Sequence, residues 1–321
     1  MTQPVASAVQ QAHAEILYLF RTDSADLQAV CRAARDRLAA LPALEPRDPL
    51  SWSSYRLVTA DVLTLLGYLR ETGVPSSELP SFRSLLIDVL RYLYEAEEGK
   101  LGALLARVVH NEWAAQLGAS HTAAIDVAER LAACLFALGE TEECRPLFEE
   151  VVRLRARVLG NDDPATLLAA CNMGACLAVD EVYHAALQLN EDTVRRCERL
   201  LGRDHETTML ATANLAGTLS RLGEHQRALA LHRDVLQRRK RISGEDSLMT
   251  LRAEASVAEV LHSLGDHEAA RAINADLLPR FERVAGKDYS GAKHTRSRLE
   301  QNLRARGRDE EADEVGGKPR F

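Results

Sequence analysis

The chain has 321 residues, a formal net charge of -7, 27% charged residues and 46% hydrophobic residues. That length suits two ordinary domains or one elongated repeat array. Acids and bases alternate along the chain, which excludes a broad cationic face, so neither nucleic acid nor a membrane surface is expected as a partner.

The opening residues, MTQPVASAVQQAH, show no basic run and no apolar core of a secretion signal. No apolar run approaches the ~20 residues of a membrane span. Helical periodicity then predicts segments at about 6–21, 24–41, 51–71, 79–97 and 100–116. Breakers separate them at Leu41-Pro42, at EPRDP (45–49) and at Gly73-Val74-Pro75. Residues 1–78 are expected to form a helical region packed on the remainder of the chain, with the apolar helix at 57–69 covering its open edge. A separate N-terminal domain is the alternative. Gly102 lies 42 residues before Cys144, so 79–116 reads as a degenerate repeat.

From 117 to about 316 the chain repeats every 42 residues. Gly118, Gly160, Gly202, Gly244 and Gly286 mark one ruler. Gly139, Gly223, Gly265 and Gly307 mark a second, with Glu181 its exception, and Leu135, Leu177, Leu219, Leu261 and Leu303 a third. A fourth holds small residues: Cys144, Ala186, Ala228, Ala270 and Ala312. Glycine supplies the positive φ that stops a helix, and apolar residues recur at three and four between the stops. The unit is therefore helix A, turn, helix B, turn. Asp163 before Pro164, with Asp204, Asp246 and Asp288 one residue earlier in their repeats, is expected to cap helix A. One hairpin cannot bury its own apolar face, so the units should stack into a solenoid of five repeats with a polar, shortened C-terminal cap. Residues 317–321 read as a flexible tail.

This pattern resembles the tetratricopeptide repeat, in its 42-residue kinesin-light-chain form. That form carries LG-x-DHP at the repeat boundary and NLA in helix A. LGRDHE (201–206), Asn214-Leu215-Ala216 and LGNDDP (159–164) with Asn172 match it. Ala132, Gly174, Ala216 and Ala258 match the small position of helix A, and the Ala228 series that of helix B. The first repeat departs at Arg130, and the last at Glu300. The resemblance implies an all-α, right-handed α-solenoid whose helices A line a concave groove.

Motifs of chemistry are missing. There is no GxxxxGK[ST], no GxGxxG after a strand, no GxSxG and no HExxH. Neither cofactor nor metal is expected, and the chain reads as non-catalytic. Six cysteines without CxxC spacing read as free, buried thiols in a cytoplasmic and, by composition, bacterial protein. Arg157, Arg199, Arg241 and Arg283, again 42 apart, read as a structural ladder reaching the acids that open the next repeat.

Groove positions follow by phase from the resemblance. The early end holds Asp126 and Glu129, and the middle holds Cys171, Ala175, Ala213 and Gly217. The late end is basic. The expected groove residues are Asn172, Asn214, Arg221, Arg252, Glu259, His262, His294 and Arg304, with an acidic part of the partner near Arg252 and Arg304. The asparagines have a second reading, as ties between neighbouring repeats. The family's chaperone-binding clamp needs Asn where Ala175 and Gly217 stand, so that clamp is absent. The expected function is a protein- or peptide-binding scaffold. Alternatives are a component of a peptide-processing or natural-product pathway, or a peptide-sensing regulator. Self-association through a terminal repeat is left open.

Overall fold

A computed structural model describes residues 3–21, 26–304 and 307–316, and every regular element among them is helical. The tail at 317–321 and residues 24 and 25 of the second expected helix lie outside the described residues. The chain divides into two compact units, Met1–Val158 and Leu159–Phe321.

The first unit begins with α1 (Gln3–Arg21), α2 (Leu27–Ala39) and α3 (Trp52–Thr72), which pack on one another. Asp26 caps α2 by accepting from the Ala29 amide. Pro42, Pro46 and Pro49 break the α-helical run between α2 and α3, leaving one 3-10 turn at Pro49–Ser51, and Trp52 Nε1 ties the connection down by donating to Pro46 O. α2 and α3 lie against α4 (Pro80–Glu95), which pairs with α5 (Gly99–Leu117). Trp113, Tyr55 and Phe82 fill this core, and the rings of Tyr55 and Tyr92 stack at 4.9 Å. Burial pushes the Tyr55 phenol far above its ordinary pKa, so it stays a neutral donor to Leu44 O. Then come α6 (Thr122–Ala137) and α7 (Thr141–Leu159).

The second unit holds α8 (Pro164–Val179), α9 (Tyr183–Leu201), α10 (Glu206–Arg221), α11 (His225–Ser243), α12 (Leu248–Ser263), α13 (His267–Ala285), α14 (Ser290–Arg304) and the short α15 (Asp309–Val315). The first helices of the hairpins start at Pro80, Thr122, Pro164, Glu206, Leu248 and Ser290, a constant step of 42. Their second helices keep the same step from Gly99 to Asp309. The α4–α5 pair is therefore in phase with the rest.

The second glycine ruler has a backbone cause. Each helix A ends in a turn whose next amide reaches back five residues: Glu140 N to Leu135 O, Glu224 N to Leu219 O and Asp266 N to Leu261 O, at 2.9–3.0 Å. This closure requires a left-handed residue in the turn. Gly139, Gly223, Gly265 and Gly307 fill that place, and Glu97 and Glu181, at φ 64 and 62, take it in the two repeats without the glycine.

Two local expectations change. Asp163 does cap its helix, accepting from the Ala165 amide at 2.8 Å. In the neighbouring repeats the cap is instead the next residue: His205 accepts from Thr207 N, and Ser247 from Thr250 N. Asp204 and Asp246 turn outward to arginines. The ladder exists, but within each repeat rather than to the next one. Arg157 donates to Ser120, Arg241 to Asp204 at 2.6 Å and Arg283 to Asp246 at 2.7 Å, while Arg199 lies 3.9 Å from Asp162. Helix B runs antiparallel to helix A, so its C-terminus returns to the start of its own hairpin.

Helix packing explains the small residues. Ala186, Ala228, Ala270 and Ala312 are fully buried. A Cβ on Gly174 would stand 2.0 Å from Asn190 Oδ1. Asn190 uses that clearance and donates to Thr218 Oγ1 at 3.0 Å, joining α9 to α10.

Candidate functional site

The expected groove residues of the second unit lie on α8, α10, α12 and α14. Their surroundings divide them into groups with different work.

Asn214 Nδ2 donates to Cys171 O at 2.8 Å, a tie from α10 to α8. Asn172 is half-buried at the same place in α8. Cys171 and Glu129, expected to line the groove, are both buried and belong to the packed interior, whereas Ala213 and Ala255 at the same phase are half-buried. Gly217 differs: a Cβ there would meet nothing within 4 Å. Ala175, Ala178, Ala213 and Ala255 are half-buried, and Arg221 is exposed at the end of α10.

The acidic early end is neutralised within the first unit. Arg155, from α7, donates to Asp126 at 2.7 Å and to Glu129 at 2.6 Å, and all three are at least partly buried. A buried guanidinium between two carboxylates satisfies charge that would otherwise be costly to bury. The basic run 238–241 is also paired. Arg238 donates to Arg203 O, Lys240 lies 3.4 Å from Glu254, and Arg241 holds Asp204.

At the late end, Arg252 Nε donates to Tyr289 Oη at 2.6 Å, with the guanidinium 5.6 Å from the ring centre. Arg304 donates to Asp313 of α15 at 2.6 Å. The two arginines expected to grip a carboxylate are thus held by the protein itself. Glu259, exposed on α12, meets Arg298 Nη2 at 2.9 Å and His294 Nε2 at 3.6 Å. His262 Nδ1 lies 3.2 Å from His267 Nδ1, one ring donating to the other. Burial, then Arg298, then His267 hold the His262 imidazolium below its ordinary pKa. The structure therefore brings Glu259, His262 and His294 together, and adds Arg298, Asn302 and His267. Arg298 was visible on the repeat ruler, since it stands where Asn172 and Asn214 stand, but its partners were not.

The comparisons bear on the whole array. A family model described as the tetratricopeptide repeat matches residues 121–180, 168–241 and 208–282, which together span just over half of the chain. The chain belongs to the tetratricopeptide repeat family. No curated protein matches it. Among solved structures, a Rap protein complexed with competence and sporulation factor is 11% identical, with a TM-score of 0.52 over 96% of this chain and 89% of that one. PlcR of Bacillus thuringiensis, in complex with the peptide PapR7 and DNA, is 12% identical, with a TM-score of 0.52 over 91% and 99%. A putative kinesin light chain of Podosopora anserina is 18% identical, with a TM-score of 0.48 over 62% and 94%. At such identities the likeness is one of fold.

Proposed function

We propose that this tetratricopeptide repeat protein is a non-catalytic scaffold that holds an extended segment of a partner protein or a peptide against helices α8, α10, α12 and α14. The observation that carries this reading is the floor of small side chains, open above Gly217. Small residues let a second backbone approach closely, as recognition along its main chain requires. The full-length likeness to Rap and PlcR, each solved with a bound factor or peptide, supports the same reading and favours a peptide-sensing regulator as its second form. We place the protein in the cytoplasm, where its six free thiols stay reduced.

The test begins with a partner captured from the native host and narrowed to a labelled peptide. Gly217→Trp sends a bulky side chain into that space, where a Cβ meets nothing within 4 Å. Its affinity for that peptide should fall at least about tenfold with an unchanged melting temperature. Equal binding by the parent and the variant would sink the reading.

A further inference from the structure

The cluster around Arg298 is short of acceptors. Arg298 Nε is buried and has no hydrogen-bond partner, although Nη2 of the same guanidinium holds Glu259. Four residues on along α14, Asn302 is 5% exposed and its amide nitrogen also lacks a partner. Asn302 lies beside His262 and favours the charged form of that ring. His262 and His267 close the group from α12 and α13. Leaving a buried donor without an acceptor is costly, so two of them in one place need an explanation. Among the described residues, the carboxylate paired with Arg298 is that of Glu259, an exposed side chain held by Arg298 on one side and His294 on the other.

We propose that Arg298, Asn302, His262 and His267 form a carboxylate-binding subsite, and that Glu259 occupies it as an internal counter-ion until a ligand carboxylate displaces it. The guanidinium then presents both Nε and Nη2 to the incoming group, the paired geometry that carboxylates favour. Asn302, whose amide nitrogen has no partner, supplies a further N–H. In the imidazole pair one Nδ1 donates to the other, so the accepting ring carries its hydrogen on Nε2 and has that N–H to offer. The inference rests on reading the helix A face as the ligand groove, and it moves the acidic contact from Arg252 and Arg304 to this cluster.

The full chain, labelled with ¹⁵N at histidine, can be titrated with three blocked probes. One is acetyl-trialanine with a free C-terminal carboxylate. The second is an acetylated, amidated peptide with a central glutamate. The third is acetyl-trialanine amide. Saturable shifts of the His262 and His267 ring signals are expected with one or both carboxylate probes, and which one responds tells a chain terminus from an acidic side chain. None is expected with the amide. Arg298→Gln should weaken binding about tenfold, and Asn302→Ala several-fold. Glu259→Gln, on an exposed side chain, should tighten it, a direction that damage to the fold would not produce. Equal shifts with the amide probe, a response to inorganic phosphate alone, or an unchanged or weaker affinity in Glu259→Gln would each overturn the proposal. Probe binding without any Gly217-sensitive partner would leave the subsite standing and remove the groove reading. A Gly217-sensitive partner without probe binding would do the reverse.

Discussion

His232 occupies in α11 the place that Asn190 and Asn274 hold one repeat away on either side, and all three are buried. Two amides bracket one imidazole that can acquire a charge. Burial drives its pKa down to about 4, against a smaller opposing pull from Glu259. The unfolded chain therefore takes up a proton near the ordinary value of about 6.5, which the folded chain refuses until about 4. Stability falls as pH drops through that window and the loss levels off below it, on the order of 3 kcal/mol in all. His232→Asn should remove this share. Urea midpoints at pH 7 and pH 4.5 should lie closer together for the variant than for the parent, and equal pH sensitivity would refute the assignment. The ruler that carries the asparagines on either side was open to inspection in the sequence. Its burial was not, because helix B turns that position toward the next hairpin only in the folded array.

The hairpin has one part whose energetics is local, its turn. Its turn needs one left-handed residue, and an L side chain there costs about 1 kcal/mol relative to glycine. Glu181 sits at φ 62 in this place. Glu181→Gly should therefore raise the stability by about 1 kcal/mol, read as a higher denaturation midpoint, and a lower midpoint would show that the side chain has work of its own. Glu181 stood out in the sequence as the exception to a glycine ruler. Glu97 did not, because its repeat also lacks the other glycine: Ser76 stands 42 residues before Gly118. The caps show the same limit. An acid near a helix start reads as a cap, yet Asp204 and Asp246 are drawn off by arginines of the returning helix, and His205 and Ser247 cap instead.

At the scale of the whole molecule the six cysteines offer a uniform probe. All are free and buried, spread from Cys31 to Cys197 across both compact units. An aromatic disulfide reagent should find no fast thiol in the native chain and six in urea. A native thiol that reacts within seconds would mark a region that opens far more often than its packing implies. The sequence by itself determined the period, the hairpin and the left-handed turns. These follow from helix stops, apolar spacing and small residues, all of which are local in the chain. Only the tertiary structure decided which charges remain to meet a partner. Arg252 lies over Tyr289, Arg304 on Asp313, and Asp126 and Glu129 on Arg155. Each pairing joins side chains from different helices or from a turn and a helix. An ionic partner is chosen by distance in space, which the 42-residue phase places on a face but does not measure.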